Sequence, residues 1–314
     1  MTIPVSRARK SRGKGGVGKS VTTGYAAQPS VTAKLTPDPF VYAIKQQSEA
    51  IAMLILEKIN KLSSEKVDSI FPLVLRKAWY DLADMLIKQG ADVNMDHVAG
   101  VSLLNGVVSS PSFGWKQRND TVAYLCERGA QVNVADRKRT GYTPLHYVAK
   151  LGDVPVATLM LKYGADINVV DQSNRTPLLA AVENRRNTET ARLLLEHGAD
   201  PNHLVENQNS HHGDGFTPLK TAIRAGNLEA ARLLVDHGAD VRADCMQGMV
   251  VEVMVREKDE LIRFLVQAGA ELNEVKGAKR KKGYSPLMYG GEIGNTEYLQ
   301  LFLDNGPRLT SKMG

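Results

Sequence analysis

The chain is poor in the residues and runs that mark several classes of protein. It has two cysteines, Cys126 and Cys245, in 314 residues. They lie far apart and form neither a disulfide framework nor a metal-ligand spacing, which fits a reducing compartment. No apolar run approaches the roughly 18 residues that a membrane span needs. The basic N-terminus has no apolar stretch behind it of the kind a secretory signal requires. These absences predict a cytoplasmic protein with no transmembrane segment. No Ser/His/Asp or Cys/His set stands out, so no enzyme is expected. Acid is absent from one region in particular. Residues 1–37 carry seven Lys/Arg (Arg7, Arg9, Lys10, Arg12, Lys14, Lys19, Lys34) and no Asp or Glu. Setting those seven aside leaves 33 basic against 34 acidic residues, so the net charge of +6 belongs to the tail. A basic surface for nucleic acid is therefore not expected on the remainder.

What the chain does have is repetition. Gly-Ala-Asp-x-Asn, intact or worn, begins at Gly90, Gly129, Gly164, Gly198, Gly238 and Gly269, and a degraded copy begins at Gly306. Successive glycines are 39, 35, 34, 40, 31 and 37 residues apart. A period near that length with variable insertions predicts a stacked-repeat solenoid. An apolar triplet precedes each copy, as in Leu159-Met160-Leu161 and Leu193-Leu194-Leu195. Apolar residues three or four positions further back give helical spacing. The glycine suits the left-handed conformation that ends a helix. Upstream stand Thr143-Pro144, Thr176-Pro177, Thr217-Pro218 and Ser285-Pro286. A hydroxyl followed by proline is a helix start, because the hydroxyl caps free N–H groups and proline suits the first turn. Each unit is therefore a short helix, a tight turn, a longer helix and a Gly-headed loop.

This pattern resembles the ankyrin repeat family, and Gly141-Tyr142-Thr143-Pro144-Leu145-His146-Tyr147-Val148-Ala149 is its fullest copy. The resemblance covers roughly residues 37–314. It implies an all-α solenoid of about eight helix–turn–helix units with projecting hairpin loops, preceded by a disordered basic tail over 1–36. The repeats fall at about 37–66, 67–97, 98–135, 139–170, 172–204, 213–243, 246–274 and 281–311. In the first, Ile59 stands where the glycine belongs. Insertions fall near 109–115, over 203–214 and before the eighth repeat, in connections that tolerate them.

The tail carries a competing signal. Gly13, Gly18, Lys19 and Ser20 fill the fixed positions of a phosphate-binding loop. Lys14 to Ala27 also resembles the deviant loop of ParA/MinD-type ATPases. Such a loop needs an apolar strand before it and a helix after it, and neither is available between Met1 and Pro29. A nucleotide-dependent switch thus remains an alternative reading, as does nucleic-acid tethering by the tail. Tyr25 is the tail's only aromatic for base stacking.

Histidines do not make a metal site. His203, His211, His212 and Asp214 share one Gly/Asn-rich loop that would not preorganise ligands. His197 and His237 follow the repeat, and the resemblance gives His146 a turn-bracing role. Cys126 fills a core triplet and Cys245 lies in a loop. No cofactor is expected. The resemblance implies a non-enzymatic module, a monomer on its own, that binds a protein partner on its concave surface. Candidate contacts are Arg137, Lys138, Tyr142, Tyr147 and Lys150 in the fourth repeat, and Gln172, Arg175 and Glu183 in the fifth. They continue as Phe216 and Arg224 in the sixth, and Tyr284 and Tyr289 in the eighth. Tyr142, Phe216 and Tyr284 share one motif position, where the ring either forms a binding ridge or simply covers the turn.

Overall fold

A computed structural model describes residues 38–59, 62–98, 100–136, 140–185, 187–206, 215–272 and 284–306. Within them the chain forms sixteen α-helices arranged as eight pairs. The first pairs are α1 (Pro39–Lys45) with α2 (Glu49–Lys58), α3 (Ser64–Arg76) with α4 (Tyr80–Lys88), and α5 (Leu103–Ser109) with α6 (Trp115–Glu127). The middle pairs are α7 (Pro144–Leu151) with α8 (Val154–Lys162), and α9 (Pro177–Val182) with α10 (Thr188–Glu196). The last are α11 (Pro218–Ala225) with α12 (Leu228–Asp236), α13 (Met249–Val255) with α14 (Asp259–Gln267), and α15 (Pro286–Glu292) with α16 (Thr296–Asn305). From α5 to α15 each odd-numbered helix packs on the next, and the even-numbered helices form a second layer. Between the layers runs one continuous apolar seam. This is the all-α solenoid that the repeats predict.

The caps form as the sequence suggests. Thr176, Thr217 and Ser285 each accept a hydrogen bond from the backbone N–H three residues on, at 3.4, 3.3 and 3.2 Å. Proline follows each at the first helical position, where no N–H is missed. At the other end, Gly164 takes φ +82° and lets Ala165 N–H bond back to Met160 C=O at 2.9 Å. That closes the helix in the manner only a residue without Cβ adopts cheaply.

The loops between pairs are tied to one another by a ladder of side-chain amides. Asn133 donates from Nδ2 to Gly164 C=O at 3.0 Å and accepts from Asp166 N–H at 2.8 Å. Asn94, Asn168 and Asn202 make the same two bonds to the loop that follows them. Arg242 replaces asparagine in the next rung and donates from Nε to Gly269 C=O at 2.9 Å. Each loop is thus positioned by its predecessor. One loop also contains strand pairing: β1 (Asp96–Val98) and β2 (Val101–Ser102) form a short antiparallel hairpin. In another, Val205 and Phe216 exchange both backbone hydrogen bonds at 2.9 Å and close the base of the long insertion.

Cys245 lies in the connection between α12 and α13, in a 3-10 turn over Asp244–Met246, and is buried there with its thiol near Thr217. Cys126 is buried in the seam, and burial pushes its thiol up to about 11.

Candidate functional site

The candidate contacts of the fourth and fifth repeats converge on Tyr142. It lies directly before the α7 cap, and its side chain is buried, with 3% exposed. Its ring stacks on His146 at 5.1 Å and meets Tyr147 edge-on at 5.2 Å. Arg175 Nη2 donates to the Tyr142 hydroxyl at 2.9 Å, and the Arg175 guanidinium also lies 5.5 Å from the ring centre. The Lys150 ammonium stands 5.7 Å from the same ring. Burial raises the Tyr142 phenol above its ordinary range. Tyr142 therefore covers the turn, and its surroundings present the polar surface.

Arg175 is the next node. Its Nε donates to buried Asp171 at 2.9 Å and its Nη1 reaches Glu183 at 3.5 Å. Asp171 also accepts from the Ser173 and Arg175 N–H groups, so the carboxylate folds the loop and orients the guanidinium. Tyr147 donates to Asp136 at 2.8 Å. Lys150 and Gln172 are exposed, and Glu183 ends α9 with its carboxylate in solvent.

His146 braces this region from within. Its Nε2 bonds the Arg175 carbonyl at 2.9 Å, and a carbonyl can only accept, so Nε2 carries the proton. Nδ1 is then the acceptor, which the Thr143 N–H and hydroxyl approach at 3.3 and 3.0 Å. Burial lowers the His146 pKa and keeps the ring neutral.

Phe216 stands in a second cluster and, unlike Tyr142, is 36% exposed. The Arg224 guanidinium lies 5.4 Å and the Lys220 ammonium 6.0 Å from its ring. Arg224 makes a forked pair with Glu252, at 3.2 Å to each oxygen. Arg256 reaches the same carboxylate at 2.8 Å. Tyr284 and Tyr289 are half-buried at the far end, where Tyr289 packs against the seam. Arg137 and Lys138 lie outside the described residues. So do Gly13, Gly18, Lys19 and Ser20 of the phosphate-loop motif, and His211 and His212. Among the described residues no group of three or more His, Cys, Asp or Glu side chains gathers for a metal.

Several participants escape the sequence motif. Asp136 and Asp171 are 35 residues apart, one repeat period, and that spacing was the available signal. Glu252 and Arg256 are four apart on one turn. Val170 and Leu204 are each 43% exposed two residues after a ladder asparagine, at equivalent places on neighbouring loops.

The paired helices, glycine-capped turns and amide ladder define a helical-repeat solenoid. Ankyrin repeats match the chain in three overlapping copies, over residues 113–205, 170–245 and 202–275, together just over half of it. The chain belongs to the ankyrin repeat family. It is 34% identical over 131 residues to E3 ubiquitin-protein ligase Ufd4 of Drosophila melanogaster, covering 40% of this chain and 4% of that protein. Ankyrin repeat and SOCS box protein 6 of Homo sapiens is 34% identical over 125 residues, 38% of this chain and 28% of that protein. Ankyrin repeat protein nuc-2 of Neurospora crassa is 28% identical over 191 residues, 59% of this chain and 17% of the relative. The chain thus spans well under two thirds of the length of these relatives.

Proposed function

We propose that this solenoid is a non-catalytic module that binds a protein partner across its loops and odd-numbered helices. One observation carries the reading. Exposed apolar side chains on neighbouring loops, Val170, Leu204 and Phe216, lie in the same stretch as oriented guanidinium groups of Arg175 and Arg224. Interfaces draw their affinity from aromatic and arginine anchors that lose water on contact. Here these anchors are fixed beforehand, by Asp171 and Glu252 for the arginines and by the Val205 bridge for Phe216, which lowers the ordering cost of binding. Tyr142 and His146 contribute by holding the platform. No described helix is long and apolar enough to cross a membrane.

The test is affinity capture with the full chain, followed by measurement of the recovered partner's affinity for Phe216→Ala and Arg224→Ala. Each is expected to weaken binding by more than 1 kcal/mol, roughly the threshold of an anchor residue. Unchanged affinity in both variants would refute this surface. Repeating the capture with a chain shortened to 36–314 separates binding by the repeats from binding by the tail.

A further inference from the structure

A further site lies on the same row of odd-numbered helices but away from those loops, between the second and third helix pairs. A cleft of about 90 Å³ opens between α3 and α5. Pro72 and Leu73 of α3 form one wall, Leu103 and Val107 of α5 the other, and Phe113 closes the end. Leu73 is 36% exposed there. A cleft of that size and apolar lining has room for an aliphatic side chain.

The wall carrying Phe113 belongs to the inserted 110–114 connection, and that connection is fastened. Arg118, itself buried, donates from Nη2 to the carbonyls of Ser110 at 3.3 Å and Phe113 at 3.2 Å. Its Nη1 pairs with buried Asp153 at 2.9 Å. A buried ion pair thus holds an insertion in place over an apolar cleft, so the cleft is a preformed feature of the fold.

The charge at the cleft has one sign. Arg76 lines it, is exposed, and makes no ion pair among the described residues. Lys116 is exposed beside Gln117, whose side-chain amide bonds the Arg76 carbonyl. No carboxylate is among the lining residues. Elsewhere half-buried Arg128 and Arg224 pair with Asp84 and Glu252, and exposed Arg263 pairs with Glu297. Arg76, like exposed Arg242, has no carboxylate partner among the described residues, and unlike Arg242 it borders an apolar cleft.

We propose that this cleft docks a peptide segment of a partner protein carrying one aliphatic anchor side chain next to acidic residues. The anchor enters between Leu73 and Val107, and the carboxylates meet Arg76 and Lys116. The proposal shares with the reading above the premise that the solenoid binds proteins, but it uses none of the same residues.

The experiment is selection of a random-peptide phage library on the immobilised full chain, followed by affinity measurements on the selected peptides. Wild type, Arg76→Glu, Leu73→Asp and Phe216→Ala are compared, each first shown to keep its circular dichroism. Should Leu73→Asp lose its fold, Arg76→Glu carries the test, since that side chain is exposed. The expected peptides combine Leu, Ile, Val or Met with Asp or Glu, and they lose affinity about tenfold in Arg76→Glu, in line with reversal of an interfacial charge. Added salt should weaken them in wild type and not in Arg76→Glu. Peptides that bind Arg76→Glu as tightly as wild type, peptides lacking acid, or no enrichment would overturn the proposal. Peptides lost only in Phe216→Ala would also overturn it while leaving the loop surface standing. Self-association of the chain abolished by Arg76→Glu would assign the cleft to a second copy instead.

Discussion

Replacing Arg118 by methionine should be strongly destabilising, and the structure says why. Arg118 makes one ion pair and two carbonyl bonds while buried in the protein. Its partner Asp153 has a side chain only 1% exposed. Without Arg118 that carboxylate keeps one long bond, from Val156 N–H at 3.4 Å. The Ser110 and Phe113 carbonyls belong to a surface connection and can take up water, so they add little. The cost is dominated by a buried charge without a partner, about 3–5 kcal/mol. A methionine fills much of the arginine stem's volume, which keeps the cavity contribution small. Adding Asp153→Asn removes the stranded charge and retains a helix-capping side chain. The double variant should then recover to within about 1.5 kcal/mol of wild type, because replacing a buried ion pair outright is often close to neutral. Arg118 Nε already lacks a hydrogen-bond partner, so the native pair is itself imperfect. Urea unfolding followed by circular dichroism measures all four corners of the cycle, with the midpoint and slope of each transition fitted. A loss below about 1 kcal/mol for Arg118→Met, the level of an exposed pair, would refute the argument. So would a double variant no better than the single.

Two further outcomes follow from backbone and protonation. Gly152 ends α7 at φ +76°, and a Cβ there would collide with the Asn187 side-chain oxygen. That amide donates to the Ala149 and Lys150 carbonyls at 3.2 and 2.7 Å. Gly164 has φ +82° but open space around it. Gly164→Ala should cost about 1 kcal/mol for left-handed backbone alone, and Gly152→Ala about 1–2 kcal/mol more for the displaced cap; equal urea midpoints would contradict this. His146 has its folded pKa below the ordinary value of 6.5, so the unfolded chain binds its proton first. Its contribution is intact above 6.5, declines as pH falls through that value, and is fully lost below the folded pKa. Urea midpoints across that range should fall less in His146→Gln than in wild type, and parallel profiles would exclude the histidine as the cause.

Much of the architecture was legible because it is written in residues whose backbone preferences are local. Thr143-Pro144 and Gly164 mark the two ends of one helix pair wherever they occur, and the apolar triplets fix which face is buried. The candidate surface was less legible, for a physical reason. Tyr142 and Phe216 share a motif position, yet one is buried and the other exposed. The difference lies in the neighbours: Arg175, held by Asp171, closes over Tyr142, whereas Phe216 has only Lys220 and Arg224 beside its ring and stays 36% exposed. The Arg118–Asp153 pair was unreadable because the partnership spans 35 residues and joins two repeats. The cleft was invisible for the same reason, since α3 and α5 supply its walls from separate repeats. Pro72 inside α3 gave no signal of the cleft it lines.

The amide ladder has a mechanical corollary. Four asparagine rungs each connect adjacent loops by two bonds pointing in opposite senses, so those loops resist shear along the stack in either direction. Arginine offers no acceptor. At Arg242, between the sixth and seventh repeats, the side chain can therefore supply only the donating half of the rung. From Asn94 to Asp240 the loops are thus linked by reciprocal amide bonds, a register in which one loop cannot slide along the stack without breaking bonds to its neighbour.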